Sequence, residues 1–298
     1  MLRMCTGVGV VAGFVLAASG GLRVVASAPG ADVDVPASGA TDTVVFSGVG
    51  EPVTGFGVTG QFTAPVADQS GGLYPWSVDF AVTATAPGGV SASSGAPWFG
   101  DVSFADYPVA DAFGGLAGVG GDGAWSLSFD SGTIPPFVAG LRGVTYHLLA
   151  DGPDLAFEYT ENTGQGNSWD RPFFIAGVSG LGPVDYHVLE FTVTVSGLYE
   201  FGSVLSTGGN HFTFLYIDSF DDAQPLANLH EYGLGNGFSP FNVPRGESRF
   251  EQLLFEGRTY HWVTSEWQAS SPAADFTNTI VGPGERSEEH TSELQSHA

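Results

Sequence analysis

The chain has 298 residues, 43% of them hydrophobic and 13% aromatic, so it holds ample material for packed cores and is not a disordered chain. At the usual size of roughly 100–150 residues per domain, that length suggests two domains. Its formal charge of −24 comes from a shortage of bases: there is no lysine, and all eight basic residues are arginine, which argues against nucleic acid and anionic lipid surfaces, since both need clustered cations.

The first 28 residues, MLRMCTGVGVVAGFVLAASGGLRVVASA, read as a signal peptide. Arg3 supplies a positive start, Val8 to Ala18 an apolar stretch, and Val15-Leu16-Ala17 or Ala26-Ser27-Ala28 a small-residue cleavage site. The apolar stretch is short for a membrane span of ~20 residues and is broken by glycine and Arg23. The single cysteine, Cys5, precedes the apolar stretch, too early for a lipoprotein site, and leaves no structural disulfide. No later segment approaches spanning length, so no membrane span is expected in the mature chain.

Residues 29–42, rich in Pro, Ala, Gly and Asp, read as a linker. Strand signals follow at 44–50, 54–64, 76–86, 124–129 and 143–149, each short, β-branched or aromatic, and bounded by Gly or Pro. In the third, Val78, Phe80, Val82 and Ala84 alternate with their neighbours at the period of a half-buried strand. These define a first β-sandwich over 43–151. A second series, at 154–161, 187–205, 211–218, 248–257, 258–267 and 275–281, defines a second over 152–284. Asp151 and Asp154 read as turn residues between the two. Ser196-Gly197 reads as a hairpin turn. Gly143-Val144-Thr145-Tyr146-His147 recurs as Gly257-Arg258-Thr259-Tyr260-His261, which suggests two sandwiches of similar wiring. No helical spacing is sustained over 11 residues, and 44 glycines oppose helices. The expected fold is all-β: two antiparallel, jelly-roll-like β-sandwich domains after a signal peptide.

The end of the chain, RSEEHTSELQSHA (286–298), has no glycine and no aromatic residue. Written back into codons, Arg286 to Ser296 resembles a sequencing adapter read in frame. Residues 285–298 are therefore expected to be a non-native tail.

The second half is similar to the bacterial pre-peptidase C-terminal type of β-sandwich. The resemblance rests on FTVTVSGLYEF (191–201), FLYIDSFDDAQPLANL (214–229), EGRTYHWVTS (256–265) and FTNTIVGPG (276–284). It implies a non-catalytic appendage of secreted bacterial proteins. The segment from His230 to Gly235 departs from the acidic, Gly-rich pattern of many relatives, which weakens a metal site drawn by analogy. TATAPGG (83–89) and GDGAWSLSFDSG (121–132) faintly resemble strands of a proprotein-convertase P domain.

Catalytic signatures are absent. No G-x-S-x-G occurs, and with no lysine there is no Schiff-base or Ser–Lys chemistry. His230-Glu231 begins like a zinc-protease helix, but Leu234 stands where the second histidine belongs. His147, His187, His211, His230 and His261 show no metal-ligand spacing and read as ordinary surface or hydrogen-bonded residues. Asp218, Asp221 and Asp222 are the candidate metal ligands, for calcium, against a plain Asp-rich turn. Trp98 and Trp169, in loops, are the candidate glycan-stacking residues, while Trp125 and Trp262 sit in strand patterns and read as core. Arg171 is expected to pair with a carboxylate.

The sequence thus points to an exported, non-catalytic structural or adhesive protein of the bacterial cell surface or matrix, with an extracellular glycan or surface polymer as candidate partner. The alternatives are a carbohydrate- or calcium-binding module and an accessory fragment of a secreted hydrolase.

Overall fold

The computed structural model describes residues 21–36, 38–63, 81–94, 107–130, 138–173, 177–234 and 243–287. Among them there is no helix, and the strand pairings are antiparallel throughout. Among the described residues no helix is long and apolar enough to cross a membrane.

Eight strands build the first half: β2 (Val33–Pro36), β3 (Ala40–Phe46), β4 (Val53–Thr63), β5 (Ala81–Thr85), β6 (Ser91–Ser93), β7 (Tyr107–Val119), β8 (Gly123–Asp130) and β9 (Val138–Asp151). They pair from the ends inward: β2 with β9, β3 with β8, β4 with β7, β5 with β6. Such a doubled ribbon, folded so that alternate pairs fall in opposite sheets, is a jelly roll. Its sheets run β2-β9-β4-β7 and β3-β8-β5-β6. Alternation drives this: Trp125, Leu127 and Phe129 of β8 point inward, Ser126 and Ser128 outward. Phe56, Trp125 and Tyr146 meet at the centre of the core.

The second half repeats the wiring. Here β10 (Leu155–Asn162) pairs with β20 (Asp275–Gly282), and β14 (Val184–Val193) with β19 (Tyr260–Glu266). Likewise β15 (Gly197–Leu205) pairs with β18 (Glu247–Leu254), and β16 (His211–Ile217) with β17 (Leu229–Leu234). The sheets are β10-β20-β15-β18 and β14-β19-β16-β17, packed through Phe201, Phe250, Leu254, Trp262 and Ile280. Short strands decorate this half: β11 (Ser168–Trp169) on β14, the pair β12 (Pro172–Phe173) and β13 (Gly177–Val178), and β21 (Arg286–Ser287) at the end of β14.

One strand joins the halves. β1 (Leu22–Pro29) lies along β9 from Leu22↔Asp151 to Pro29↔Thr145, and β2 continues on the same edge with Val33↔Leu141. At Arg23↔Gly197, β1 also meets β15, so a single nine-stranded sheet runs through both jelly rolls. Ala110, Ala112, Leu149 and Leu253 form a small core at this seam, with Leu22, Val24, Leu198 and Phe255 packed against it. The Gln252 side chain donates to the Ala110 carbonyl across it.

Several expectations change. Residues 29–42 are not a linker, since they hold β2 and the start of β3. Ser196-Gly197 is not a hairpin turn: β14 and β15 lie in opposite sheets, and the chain crosses the sandwich between them. The two five-residue copies are not equivalent either. The first lies in β9, the last strand of its jelly roll, where Thr145, Tyr146 and His147 pair with β1 and β4, whereas the second enters β19, the next-to-last strand of its own, which pairs with β14 and β16. The common wiring is real, but this repeat does not carry it.

Candidate functional site

The Asp-rich turn after β16 separates its carboxylates. Asp218, in a left-handed conformation (φ 69°), accepts two 3.0 Å bonds from the Arg258 Nε and Nη2. That bonding holds its carboxyl below the usual range. Asp221 accepts from the Ala223 backbone N–H (3.0 Å) and the Gln224 side chain (2.9 Å), closing a tight turn. Asp222 accepts from the Tyr186 hydroxyl at 2.9 Å. The three carboxylates thus serve three different partners. No group of three His, Cys, Asp or Glu side chains among the described residues could hold a metal ion.

Trp169 is not a surface platform. It is buried, 3% exposed, in an aromatic cluster on the outer face of the β14-β19 sheet, and its Nε1 donates to Ser265 Oγ at 3.0 Å. Tyr186, Phe214 and Phe220 surround it with centroids 5.3–5.5 Å away. The loop carrying β11 folds back onto the sheet to hide its own tryptophan. Trp98 lies outside the described residues. Trp125 and Trp262 are fully buried, as their strand patterns suggested.

Arg171 has no carboxylate partner among its hydrogen bonds. Fully buried, it donates to the carbonyls of Trp267 (3.0 and 2.6 Å) and Pro172 (2.8 Å). Its guanidinium also sits 4.2 Å from the Phe212 ring centroid. Carbonyl dipoles and a ring face here replace a counter-ion. Burial lowers its pKa to about 10, so it remains charged at neutral pH.

Three hydroxyl–imidazole contacts, at two histidines, give partners that the sequence did not name. Ser27 Oγ lies 2.8 Å from His147 Nδ1, whose Nε2 lies 3.0 Å from Thr59 Oγ1. His211 Nε2 lies 3.0 Å from Ser203 Oγ. Nucleophile–base pairs use such distances. Here both rings are sealed, His147 at 3% and His211 at 0% exposed, and burial lowers each to about 4. His147 has hydroxyls on both sides, with no carboxylate to orient it. The Ser203 pair belongs to a polar end of the second core, where Thr213 bonds Ser248 (2.7 Å) and Asn278 bonds both Tyr159 (2.7 Å) and Thr264 (2.8 Å). Thr163 donates to the buried Glu266 at 2.7 Å, and burial raises that carboxyl. The pairs were illegible because strand pairing, not spacing, creates them: Ser27 and His147 are 120 positions apart. His261, on the surface of β19, lies 3.2 Å from Glu190.

A cavity of about 200 Å³ opens between β10, β14 and β20, lined by Phe157, Val193, Tyr199 and Ile280. Arg286 closes it, its guanidinium 3.7 Å from the Phe157 centroid. Tyr199, the one hydroxyl lining it, is already bonded to the Val195 carbonyl at 2.8 Å.

No family model matches the chain, and no curated protein matches it. Among solved structures it is similar to tripeptidyl peptidase 2, with 8% identity over 87% of this chain and a TM-score of 0.25. The chain spans 23% of that peptidase's length. It is also similar to the tandem CBM22-1–CBM22-2 domains of Xyn10C from Paenibacillus barcinonensis, with 10% identity, 90% of this chain, 99% of that one and a TM-score of 0.22. A third is infectious bursal disease virus, Gt strain, with 9% identity, 88% of this chain, 69% of that one and a TM-score of 0.21. Likenesses this distant carry no ligand or activity across. What the strand order itself defines is a β-sandwich protein. More particularly, it is a tandem of two jelly rolls sharing one sheet.

Proposed function

We propose that this protein is an exported structural or adhesive module without catalysis of its own, working at the cell surface or in an extracellular matrix. The observation that supports it most is where the reactive side chains lie. Both histidine rings are buried, the Ser203–His211 pair lies wholly inside the second core while Ser27 reaches His147 from an exposed strand position, and the Asp-rich turn commits its carboxylates to Arg258, Tyr186 and its own backbone. Among the described residues, Arg23, Arg142, Arg249 and Arg258 are each paired with a carboxylate, and Arg171 is buried against backbone carbonyls. Such a surface suits association with neutral polymer.

The test is fractionation of an exporting host, with the released and surface-bound material assayed for turnover. The expected result is protein in the extracellular or wall fraction and no hydrolysis of ester, peptide or glycoside substrates. Turnover abolished by Ser203→Ala would overturn the reading. Glycan arrays and calcium calorimetry separate it from a dedicated binding module.

A further inference from the structure

Two small-residue sites near the N-terminus offer themselves to an export peptidase, Val15-Leu16-Ala17 and Ala26-Ser27-Ala28. The fold distinguishes them. A cut after Ala28 would remove all of β1 but Pro29, and β1 is bound along its length. Its backbone pairs with β9 at seven positions, from Leu22↔Asp151 to Pro29↔Thr145, with a bulge between Val24 and Ala26. The Val24 N–H donates to the Ser196 carbonyl at 2.8 Å, and the Gly152 N–H to the Gly21 carbonyl. Arg23 forms an ion pair with Glu51. Leu22 and Val24 pack on the seam core, while Val25, Ala26 and Ala28 pack on the first jelly-roll core. Ser27 supplies the hydroxyl on the Nδ1 side of the buried His147.

Removing this segment would strip the β9 edge from Thr145 to Asp151, leaving only the four residues of β2 beyond it. It would also break the one strand that carries the nine-stranded sheet from β9 to β15. Unpaired buried backbone N–H and C=O groups are costly, and an opened long edge invites aggregation.

We infer that the export peptidase cuts this chain before Gly21, and that the Ala26-Ser27-Ala28 site, though acceptable in sequence, is retained in the mature protein as β1. The inference rests on the export reading above. In it, the apolar segment ahead of residue 21 is the signal, and the apolar residues from Leu22 onward belong to the fold.

The test is N-terminal sequencing and intact mass of full-length chain exported by a secreting host, beside the variants Ala17→Gln and Ala28→Leu. The expected mature chain begins between residues 16 and 21, and Ala28→Leu is processed at the same place as the wild type. Ala17→Gln should shift the cut by a few residues or slow it severalfold. A mature chain beginning at Pro29, or processing abolished by Ala28→Leu alone, would overturn the inference and leave export standing. A chain that stays uncut in the cell would overturn the export reading and this inference with it.

Discussion

His147, His211 and His230 show how the cores set the pH range of the fold. Burial lowers them to about 4, about 4 and about 3, against an unfolded value near 6.5. Each folded pKa lies below the unfolded one, so their contribution is whole above pH ~6.5 and is lost as pH falls toward 4 and 3. Acid titration followed by near-ultraviolet circular dichroism should show unfolding in that window. His211→Gln should move the midpoint to lower pH by removing one of the buried histidines that must charge. Trp169 offers a second test at this scale. Trp169→Ala should cost about 3–5 kcal/mol in denaturant titration, as for a buried aromatic emptied into a cavity. A stacking residue on the surface would instead lose glycan binding at unchanged stability. Its neighbours Ser168 and Asp170 gave no sign of burial in sequence, because the covering partners Phe214 and Phe220 come from another part of the chain.

Strands were legible where one face is buried and the other wet. In β8 and β20 the alternation survives into the structure, with Trp125, Leu127 and Phe129, and Phe276 and Ile280, on their strands' inner sides; in β14 it holds at Phe191 and Val193, while Val184 and Tyr186 are buried on the other face under Trp169. β1 was illegible for a physical reason. Leu22, Val24 and Val25 look alike whether they extend a signal's apolar run or enter a sheet, and only the partners β9 and β15 decide. Gly197 shows what that partnership demands. A Cβ there would run into the Leu22 carbonyl and the Pro283 ring, so the residue is glycine because β1 crosses close above it. Gly197→Val should therefore cost about 1–3 kcal/mol through overpacking. Because the strain falls on the seam, calorimetry should show one unfolding transition becoming two, one for each jelly roll. A uniform drop with a single transition would mean that β1 does not couple them.

Across the whole molecule the charge is −24, and four surface ion pairs use up much of the positive side of the ledger. Pairs this exposed each contribute little, so the uncompensated carboxylates act mainly by mutual repulsion, which opposes compaction. Salt screens that repulsion with a Debye length falling from roughly 30 Å at 0.01 M to about 3 Å at 1 M. Raising sodium chloride over that range should lift Tm by roughly 2 °C, the equivalent of about 1 kcal/mol in a chain of this size. The identity of the cation then becomes informative. Asp218, Asp221 and Asp222 already hold Arg258, a turn and Tyr186, so calcium must break those bonds to gather them. At matched ionic strength, calcium chloride should raise Tm no further than sodium chloride, in Arg258→Gln as in the wild type. A saturable excess in calcium at micromolar concentration would show that the turn rearranges into a site, and would shift the balance from structural module to cation-dependent binder.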